Sequence, residues 1–125
     1  MFTKLAEVML YVNDQDASKK FWKEKLGFKV VSESGAGDEM RWIEVRPMED
    51  AGASLILFDR KTVEKFSPEL NFGTPSLMFF TDDLDQLHQE LTDKGVNVGK
   101  IEEYGSMRTF NFSDEEENYF AVMKG

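Results

Sequence analysis

The feature that most constrains the fold of this chain is an internal repeat in the order of its predicted elements. The segment VMLYVNDQD at 8–16 aligns with LMFFTDDLD at 77–85, a shift of 69 residues. The segment KLGFKV at 25–30 aligns with DKGVNV at 93–98, a shift of 68 residues. Each half contains a strand, an acidic helix start, a helix that ends at glycine, and three more strands. Convergence on a generic βα unit is the alternative, but a match over the full length favours duplication.

Hydrophobic periodicity locates the elements of both halves. Asp14 or Asp16 can cap the first helix, because a carboxylate accepts a hydrogen bond from a free first-turn amide. Gly27 and Gly95 end the two helices, since glycine adopts the left-handed conformation without strain. A Gly-containing turn is predicted at 33–38. The predicted strands are 5–12, 28–32, 40–45, 53–58, 76–81, 96–101, 107–112 and 118–123.

The pattern predicts an α+β chain of two βαβββ repeats. Repeat one covers 1–58 and repeat two covers 75–125. The connector at 59–74 contains a short helical turn near 63–66. A length of 125 residues suits one domain, so we expect the repeats to form a single domain.

Composition excludes several classes of function. The chain has 24 acidic and 15 basic residues, a net charge of −9, which disfavours nucleic acid and anionic membrane surfaces as partners. It has no cysteine, so disulfide scaffolds, thiolate metal sites and cysteine nucleophiles are excluded. No apolar run is long enough to span a bilayer. We expect a cytoplasmic protein.

Three segments carry a family resemblance. YVNDQDASKKFWKEKLGFKVV at 11–31 resembles the first strand-and-helix signature of the vicinal oxygen chelate superfamily, which includes glyoxalases, bleomycin resistance proteins and extradiol dioxygenases. TDDLDQLHQELTDKGV at 81–96 provides the second such unit. FSDEEENYFAV at 112–122 is similar to the family's F-x-DPDGN turn, with Glu116 and Asn118 in place of the usual Pro and Gly. The resemblance implies a curved mixed sheet around a central cleft, helices on the outside, and a homodimer.

The resemblance also implies four metal-ligand positions in the enzymes of the family. In this chain they fall on Glu7, Ile56, Ser76 and Val122. A divalent ion needs imidazole or carboxylate donors, and only Glu7 provides one. The single histidine, His88, lies in the middle of a predicted helix, where a surface position is favoured over a ligand role. We therefore expect no metal and no other cofactor.

Strand alternation, combined with the resemblance, selects the side chains of the cleft. The cleft is predicted to be mostly apolar and aromatic, as small-molecule pockets are, although side chains that fill it completely are the alternative. The predicted ligand-binding residues are Met9, Tyr11, Trp42, Ile56, Phe58, Ser76, Met78, Phe80, Phe120 and Val122.

A few polar or flat side chains near these strands have chemical potential. Glu7 is the candidate catalytic group, as a base or a cation ligand, against the alternative of a salt bridge or a rim position. Trp42 could stack on a planar ligand or lie in the core or a dimer interface. Arg41 and Arg108 could each hold an anion through two hydrogen bonds.

Three functions are compatible with these features. The favoured one is a protein that binds a small apolar or cationic molecule in an aromatic cleft without a catalytic metal, as in the bleomycin resistance branch. The alternative is a metal-dependent enzyme, a glyoxalase-like lyase or a dioxygenase, which would need ligands outside the four expected positions. The third is a structural or regulatory dimer that binds no ligand.

Overall fold

The computed structural model describes residues 1–34, 40–50 and 52–125. The chain divides into two compact units, Met1–Gly73 and Thr74–Gly125. The predicted glycine turn at 33–38 lies mostly outside the described residues. Within the described part of the chain, no helix is long and apolar enough to cross a membrane.

The first unit contains one four-stranded sheet and two helices. Its elements are β1 Glu7–Val12, α1 Gln15–Lys20, a π-helical turn Phe21–Lys25 that continues α1, β2 Lys29–Glu33, β3 Trp42–Arg46, β4 Ser54–Asp59 and α2 Arg60–Phe66. The strand order is β1-β4-β3-β2. The β1–β4 pair is parallel, and the other two pairs are antiparallel.

Local sequence explains where the first helix begins and ends. The Asp14 carboxylate accepts a hydrogen bond from the Ala17 amide at 3.0 Å, which satisfies a first-turn donor. The Gln15 side-chain amide donates to the carbonyls of Arg41 and Leu57 at 2.8 and 3.0 Å, and so joins the helix start to β4 and to the residue that precedes β3. Gly27 follows with φ 75°, a left-handed conformation that suits glycine. The predicted cap and the predicted helix end are confirmed.

One face of the first sheet forms the core of its unit. Alternation along the strands places their aliphatic side chains on this face, and removing that apolar surface from water is the main stabilising term. Trp22, in the π-helical turn, is fully buried. The buried residues of this core face are Leu10, Val12, Ile43, Val45, Leu55 and Leu57.

The second unit repeats this topology. Its elements are β5 Met78–Thr81, α3 Leu84–Asp93, β6 Asn97–Val98, β7 Glu102–Tyr104, β8 Met107–Ser113 and β9 Tyr119–Lys124. The order is β5-β9-β8-β6, with β7 also paired to β8, and β5 is parallel to β9. Because β1, β4, β3 and β2 have counterparts in the same order, the predicted α+β class and the βαβββ repeat are confirmed. Hydrogen bonds join the strands into two sheets, one in each unit.

Of the predicted strand at 96–101, only β6, Asn97–Val98, is a strand, and the next strand, β7, begins after the predicted range at Glu102. Val98 pairs with Phe112, and Glu102 pairs with Thr109. Between these two pairs the chain advances by four residues from β6 to β7 but by only three residues along β8. One extra residue therefore interrupts the ladder, as in a β-bulge. Gly99 lies within this interruption, and its amide donates to the Asn111 carbonyl at 2.8 Å.

Candidate functional site

The face of the first sheet opposite its core gathers six of the residues that the sequence analysis selected. Directly paired residues on neighbouring strands project to the same face, so the register defines which side chains share it. We call this surface the mixed face. Its residues are Glu7, Met9 and Tyr11 of β1, Ser54, Ile56 and Phe58 of β4, and Trp42, Glu44 and Arg46 of β3.

Three aromatic side chains form a row across the mixed face. Phe58 pairs with Tyr11 on one side and with Trp42 on the other. The Tyr11 and Phe58 rings have centroids 6.4 Å apart and are nearly parallel. Trp42 is 40% exposed, so the end of the row on β3 is accessible to solvent. This aromatic row offers flat, polarisable surface for stacking.

The connector closes the opposite end of the aromatic row. The Phe72 ring meets the Tyr11 ring edge-on at a centroid distance of 4.9 Å. The Arg60 guanidinium donates to the Phe72 carbonyl at 2.8 Å, which ties this segment to the start of α2. Phe72 therefore belongs to the same aromatic cluster although it lies outside the strands.

A polar network lies beside the aromatic row. The Glu44 carboxylate accepts hydrogen bonds from the Ser32 hydroxyl at 2.9 Å and the Ser54 hydroxyl at 2.6 Å. The Arg46 guanidinium donates to Glu44 at 3.2 Å and to the Ser54 oxygen at 2.6 Å. A third Arg46 bond goes to the Glu49 carbonyl at 2.7 Å. We call Glu44, Arg46, Ser32 and Ser54 the polar network.

The electrostatics of the polar network favour an ionised carboxylate. The hydrogen bond from Ser54 is the largest cause that lowers the pKa of Glu44, and burial opposes it. The hydroxyl of Ser32 and the charge of Arg46 lower the pKa further. Glu44 thus carries its negative charge close to a compensating guanidinium on the same strand.

Glu7 lies at the margin of the mixed face. It pairs with Ser54 across the β1–β4 ladder, at the first residue of β1. Its side chain is exposed, so it lacks the apolar surroundings from which a catalytic role was predicted. Its role as a base stays a prediction without support from its surroundings.

In the second unit, the predicted site residues divide between two faces and a loop. Met78 and Phe80 project from β5 away from the core, and Phe80 is 72% exposed. Ser76 is exposed and precedes β5 rather than lying within it. The predicted position of Phe120 and Val122 on the same face as Met78 is wrong, because both side chains lie on the core face.

Register explains that correction. Val122 pairs with both Phe79 and Phe110, and the Phe110 ring contacts His88 of α3 at 4.9 Å. The Phe120 ring lies 5.5 Å from Phe112 and shares the same side of β9. Alternation was applied to β9 one residue out of phase.

The phase of β9 also changes the implied metal positions. Met9 pairs with Ile56 in the first unit, and its repeat equivalent Met78 pairs with Ala121. Ala121, rather than Val122, therefore occupies the position that corresponds to Ile56. The change from Val122 to Ala121 replaces one hydrocarbon side chain by another, and neither can coordinate a metal.

These side chains do not fit a divalent metal. The four positions offer the Glu7 carboxylate, the Ser76 hydroxyl and the hydrocarbon side chains of Ile56 and Ala121. Catalytic zinc sites use three protein ligands, which are imidazole, carboxylate or thiolate groups. No cluster of three or more such residues suited to a metal occurs within the ranges that the structure describes. These four positions therefore do not form the ligand set of a catalytic zinc ion.

Arg41 and Arg108 already hold carboxylates of this chain. Arg41 contacts Asp16 at 2.9 Å, and Arg108 holds Asp85 through two hydrogen bonds of 3.0 Å. These are repeat-equivalent pairs that join the helix starts to the beginnings of two equivalent strands, β3 in the first unit and β8 in the second. In both pairs the arginine hydrogen bond is the main cause that lowers the pKa of the aspartate. The anion that each arginine holds is thus an aspartate of the same chain.

The only histidine has a structural contact. His88 lies in α3, and its Nε2 is 2.8 Å from the Gly99 carbonyl, to which it donates. Asp83 caps the same helix through the Gln86 amide at 3.0 Å. These positions agree with the predicted surface histidine and acidic cap.

A shallow groove of about 360 Å³ lies at the start of α3. It contains three aspartates and two basic residues, and the Asp85–Arg108 pair is an ion pair within it. Its lining residues are Asp82, Asp83, Leu84, Asp85, Ser106, Met107, Arg108, Met123 and Lys124.

The sequence analysis did not single out Glu44 and Arg46 of the mixed face, or Phe72 at its border. Glu44 and Arg46 follow Trp42 at spacings of two and four, so alternation from Trp42 would have selected both. Phe72 had no such signal, because its contact with Tyr11 depends on the path of a connector without regular structure.

Comparisons with known proteins place these features in context. The sequence pattern of the Glyoxalase/Bleomycin resistance protein/Dioxygenase superfamily matches residues 4–122. The uncharacterised protein YetH of Bacillus subtilis (strain 168) is 29% identical over 98% of this chain and 98% of its own. TnmS3, an antibiotic-binding protein from Streptomyces sp. CB03234, is 27% identical with a TM-score of 0.82, over 98% of this chain and 96% of its own. A glyoxalase/bleomycin resistance protein from the same organism is 29% identical with a TM-score of 0.76, over 97% and 100%.

Proposed function

The chain belongs to the glyoxalase/bleomycin resistance protein/dioxygenase superfamily, and on that premise we propose that it binds a small apolar or cationic organic molecule against the aromatic row, without a catalytic metal. The observation that carries this proposal is the row of Tyr11, Phe58 and Trp42 beside an ionised, hydrogen-bonded carboxylate. Binding pockets combine apolar and aromatic surface with a few fixed polar groups, and this arrangement has both.

The chemistry of the expected ligand positions supports binding over metal-dependent catalysis. A glyoxalase-like lyase or dioxygenase needs several converging donors, and Ile56 and Ala121 have none. The similarity to TnmS3, an antibiotic-binding protein, supports the same choice. We therefore place a metal-dependent lyase or dioxygenase second.

The test uses two planar probes of the same ring size. These are 9-hydroxymethylanthracene, which is neutral, and 9-(aminomethyl)anthracene, which is cationic at neutral pH. Titration calorimetry and thermal shift should detect saturable binding of at least one, because a ligand that binds only the folded state stabilises it. Binding should be the same before and after treatment with EDTA.

Substitution of Trp42 locates the site. An aromatic contact contributes about 0.5–1.5 kcal/mol beyond its buried area, so Trp42→Ala should weaken binding roughly 2- to 13-fold. Trp42→Phe should retain most of the affinity. Tyr104→Ala is the matched control, because Tyr104 is an exposed aromatic residue on β7 of the other unit. Lack of binding by both probes, or equal effects of Trp42→Ala and Tyr104→Ala, would refute the proposal.

We also propose that the protein is a homodimer. In the second unit Met78, Phe80 and Tyr119 leave large apolar side chains exposed, and exposed apolar patches mark interaction surfaces. Analytical ultracentrifugation should give twice the chain mass, and Phe80→Glu should reduce it, with Tyr104→Glu as the control. A monomer at micromolar concentration would contradict this. The cytoplasmic location stays a prediction, and cell fractionation tests it.

A further inference from the structure

We propose that Glu44 and Arg46 together select ligands that carry a neutral group able both to donate and to accept hydrogen bonds, such as a carboxamide, attached to the aromatic ring. This inference rests on the proposed function, because it assumes that a ring stacks on the aromatic row. It narrows the ligand class from any apolar or cationic molecule to uncharged aromatic amides and their hydrogen-bonding equivalents.

The positions of Glu44 and Arg46 along β3 bring both side chains within reach of a substituent on a ring that stacks against Trp42. Trp42 and Glu44 are two residues apart and share a face, so about 6.8 Å of strand separates them. Glu44 also pairs with Ile56, the neighbour of Phe58 on the mixed face. A three-ring ligand on Trp42 and Phe58 would therefore place a short substituent over Glu44.

The hydrogen bonds that Glu44 and Arg46 already make determine how many donors and acceptors remain for a ligand. A carboxylate has about four acceptor sites and a guanidinium has five N–H donors. Within the described residues, Glu44 accepts from Ser32, Ser54 and Arg46. Arg46 donates to Glu44, Ser54 and the Glu49 carbonyl. About one acceptor site and two donors are left, which matches the N–H and C=O of an amide.

The balance of charge disfavours ionic ligands. Glu44 and Arg46 compensate each other at 3.2 Å, and their side chains are only 15% and 27% exposed. An ammonium group at Glu44 would compete with Arg46, and a carboxylate at Arg46 would compete with Glu44. Either would leave a partly buried charge less well compensated, which is unfavourable.

The hydroxyl groups of the polar network hold the pair in place. Ser54 is buried, donates to Glu44 and accepts from Arg46, so it fixes both groups at once. Ser32 fixes the second carboxylate oxygen from β2. Fixed groups lose little entropy on binding, and this sharpens selectivity.

The experiment compares three probes that share one ring system. They are anthracene-9-carboxamide, anthracene-9-carboxylate and 9-(aminomethyl)anthracene, measured by titration calorimetry on the full chain at neutral pH. We expect the carboxamide to bind roughly 10- to 150-fold more tightly than either ion, the range typical of one hydrogen bond to a charged group. This comparison uses the unaltered protein, so it does not depend on any variant folding.

Variants then test the roles of the two charges. Glu44→Gln leaves Arg46 uncompensated and should move the preference to the carboxylate. Arg46→Gln should move it to the ammonium probe. Glu49→Gln is the matched control. It removes the negative charge of a nearby exposed residue that contacts Arg46 through its backbone carbonyl, which the substitution keeps. It should leave the order unchanged.

The outcomes separate this inference from the proposed function. If all three probes bind equally and Trp42→Ala weakens them equally, the inference is overturned and the proposed function stands. If either ionic probe binds the unaltered protein more tightly than the carboxamide, the inference is overturned. If no probe binds, both proposals fail. An amide preference that both charge variants shift as described supports the inference.

Discussion

Glu117 is held in a conformation that favours glycine, and replacing it should stabilise the protein. Its φ is 63°, the only positive φ of a non-glycine residue in the described ranges. A side chain in the left-handed region costs roughly 1–2 kcal/mol. Glycine loses more backbone entropy on folding, an offset of about 0.5–1 kcal/mol. We expect Glu117→Gly to raise the free energy of unfolding by roughly 0.5–1 kcal/mol.

The loop around Glu117, rather than its side chain, fixes this conformation. The Asp114 amide donates to the Asn118 carbonyl at 3.0 Å, and the Glu117 amide donates to the Asp114 carbonyl at 3.2 Å. The Asp114 carboxylate accepts from the amides of Glu116 and Asn118, both at 2.9 Å. None of these bonds uses the Glu117 side chain, so glycine should retain the loop.

Urea unfolding measures the effect, and alanine provides the control. With a slope near 2 kcal/mol per molar, the midpoint for Glu117→Gly should rise by about 0.3–0.5 M. Glu117→Ala removes the same negative charge from a chain of net charge −9 but keeps the Cβ atom. If alanine stabilises as much as glycine, charge relief explains the gain and the backbone argument is refuted.

Three further outcomes follow from buried and paired groups. The arginine partners of Asp16 and Asp85 lower the pKa values of both aspartates below those of the unfolded chain. The two ion pairs therefore stabilise the folded state above about pH 3.9. This contribution is lost as the pH falls through the lower pKa values of the folded state. The double variant Asp16→Asn with Asp85→Asn should therefore show a flatter loss of stability in acid, measured by urea unfolding; an unchanged acid slope contradicts this. Ser54→Ala should lower the free energy of unfolding by about 1–3 kcal/mol, since it removes a hydroxyl that serves both Glu44 and Arg46, and a neutral effect would show that the polar network contributes little. Ser18→Ala should be neutral or stabilising in the same assay, because its buried hydroxyl has no hydrogen-bond partner among the described residues, and a loss above about 1 kcal/mol would contradict this.

Signals that act over a few residues predicted the fold well. The cap at Asp14 and the helix ends at Gly27 and Gly95 depend on local backbone chemistry, and the structure has all three. The similarity to the F-x-DPDGN turn also identified a turn that exists. It assigned the glycine position to Asn118, whereas the left-handed residue is Glu117.

Features that depend on pairing between strands were less predictable. Alternation gives a period of two but no phase, and a phase error of one residue moved Phe120 and Val122 to the wrong face. The break between β6 and β7 required the register against β8, which the sequence does not contain. The Glu44–Arg46 pair was missed because alternation was not extended from Trp42 to the residues two and four positions later.

The π-helical turn Phe21–Lys25 accounts for the change in repeat shift from 69 to 68 residues. Val8 and Gly27 are separated by 19 positions, and their counterparts Leu77 and Gly95 by 18. A π turn widens a helix to accommodate an additional residue without moving either end, so an insertion in the ancestral first half, or a deletion in the second, left both sheets aligned with their helices. Removing one solvent-facing residue such as Lys23 would convert this turn to regular α-helix and restore a uniform period to the two halves.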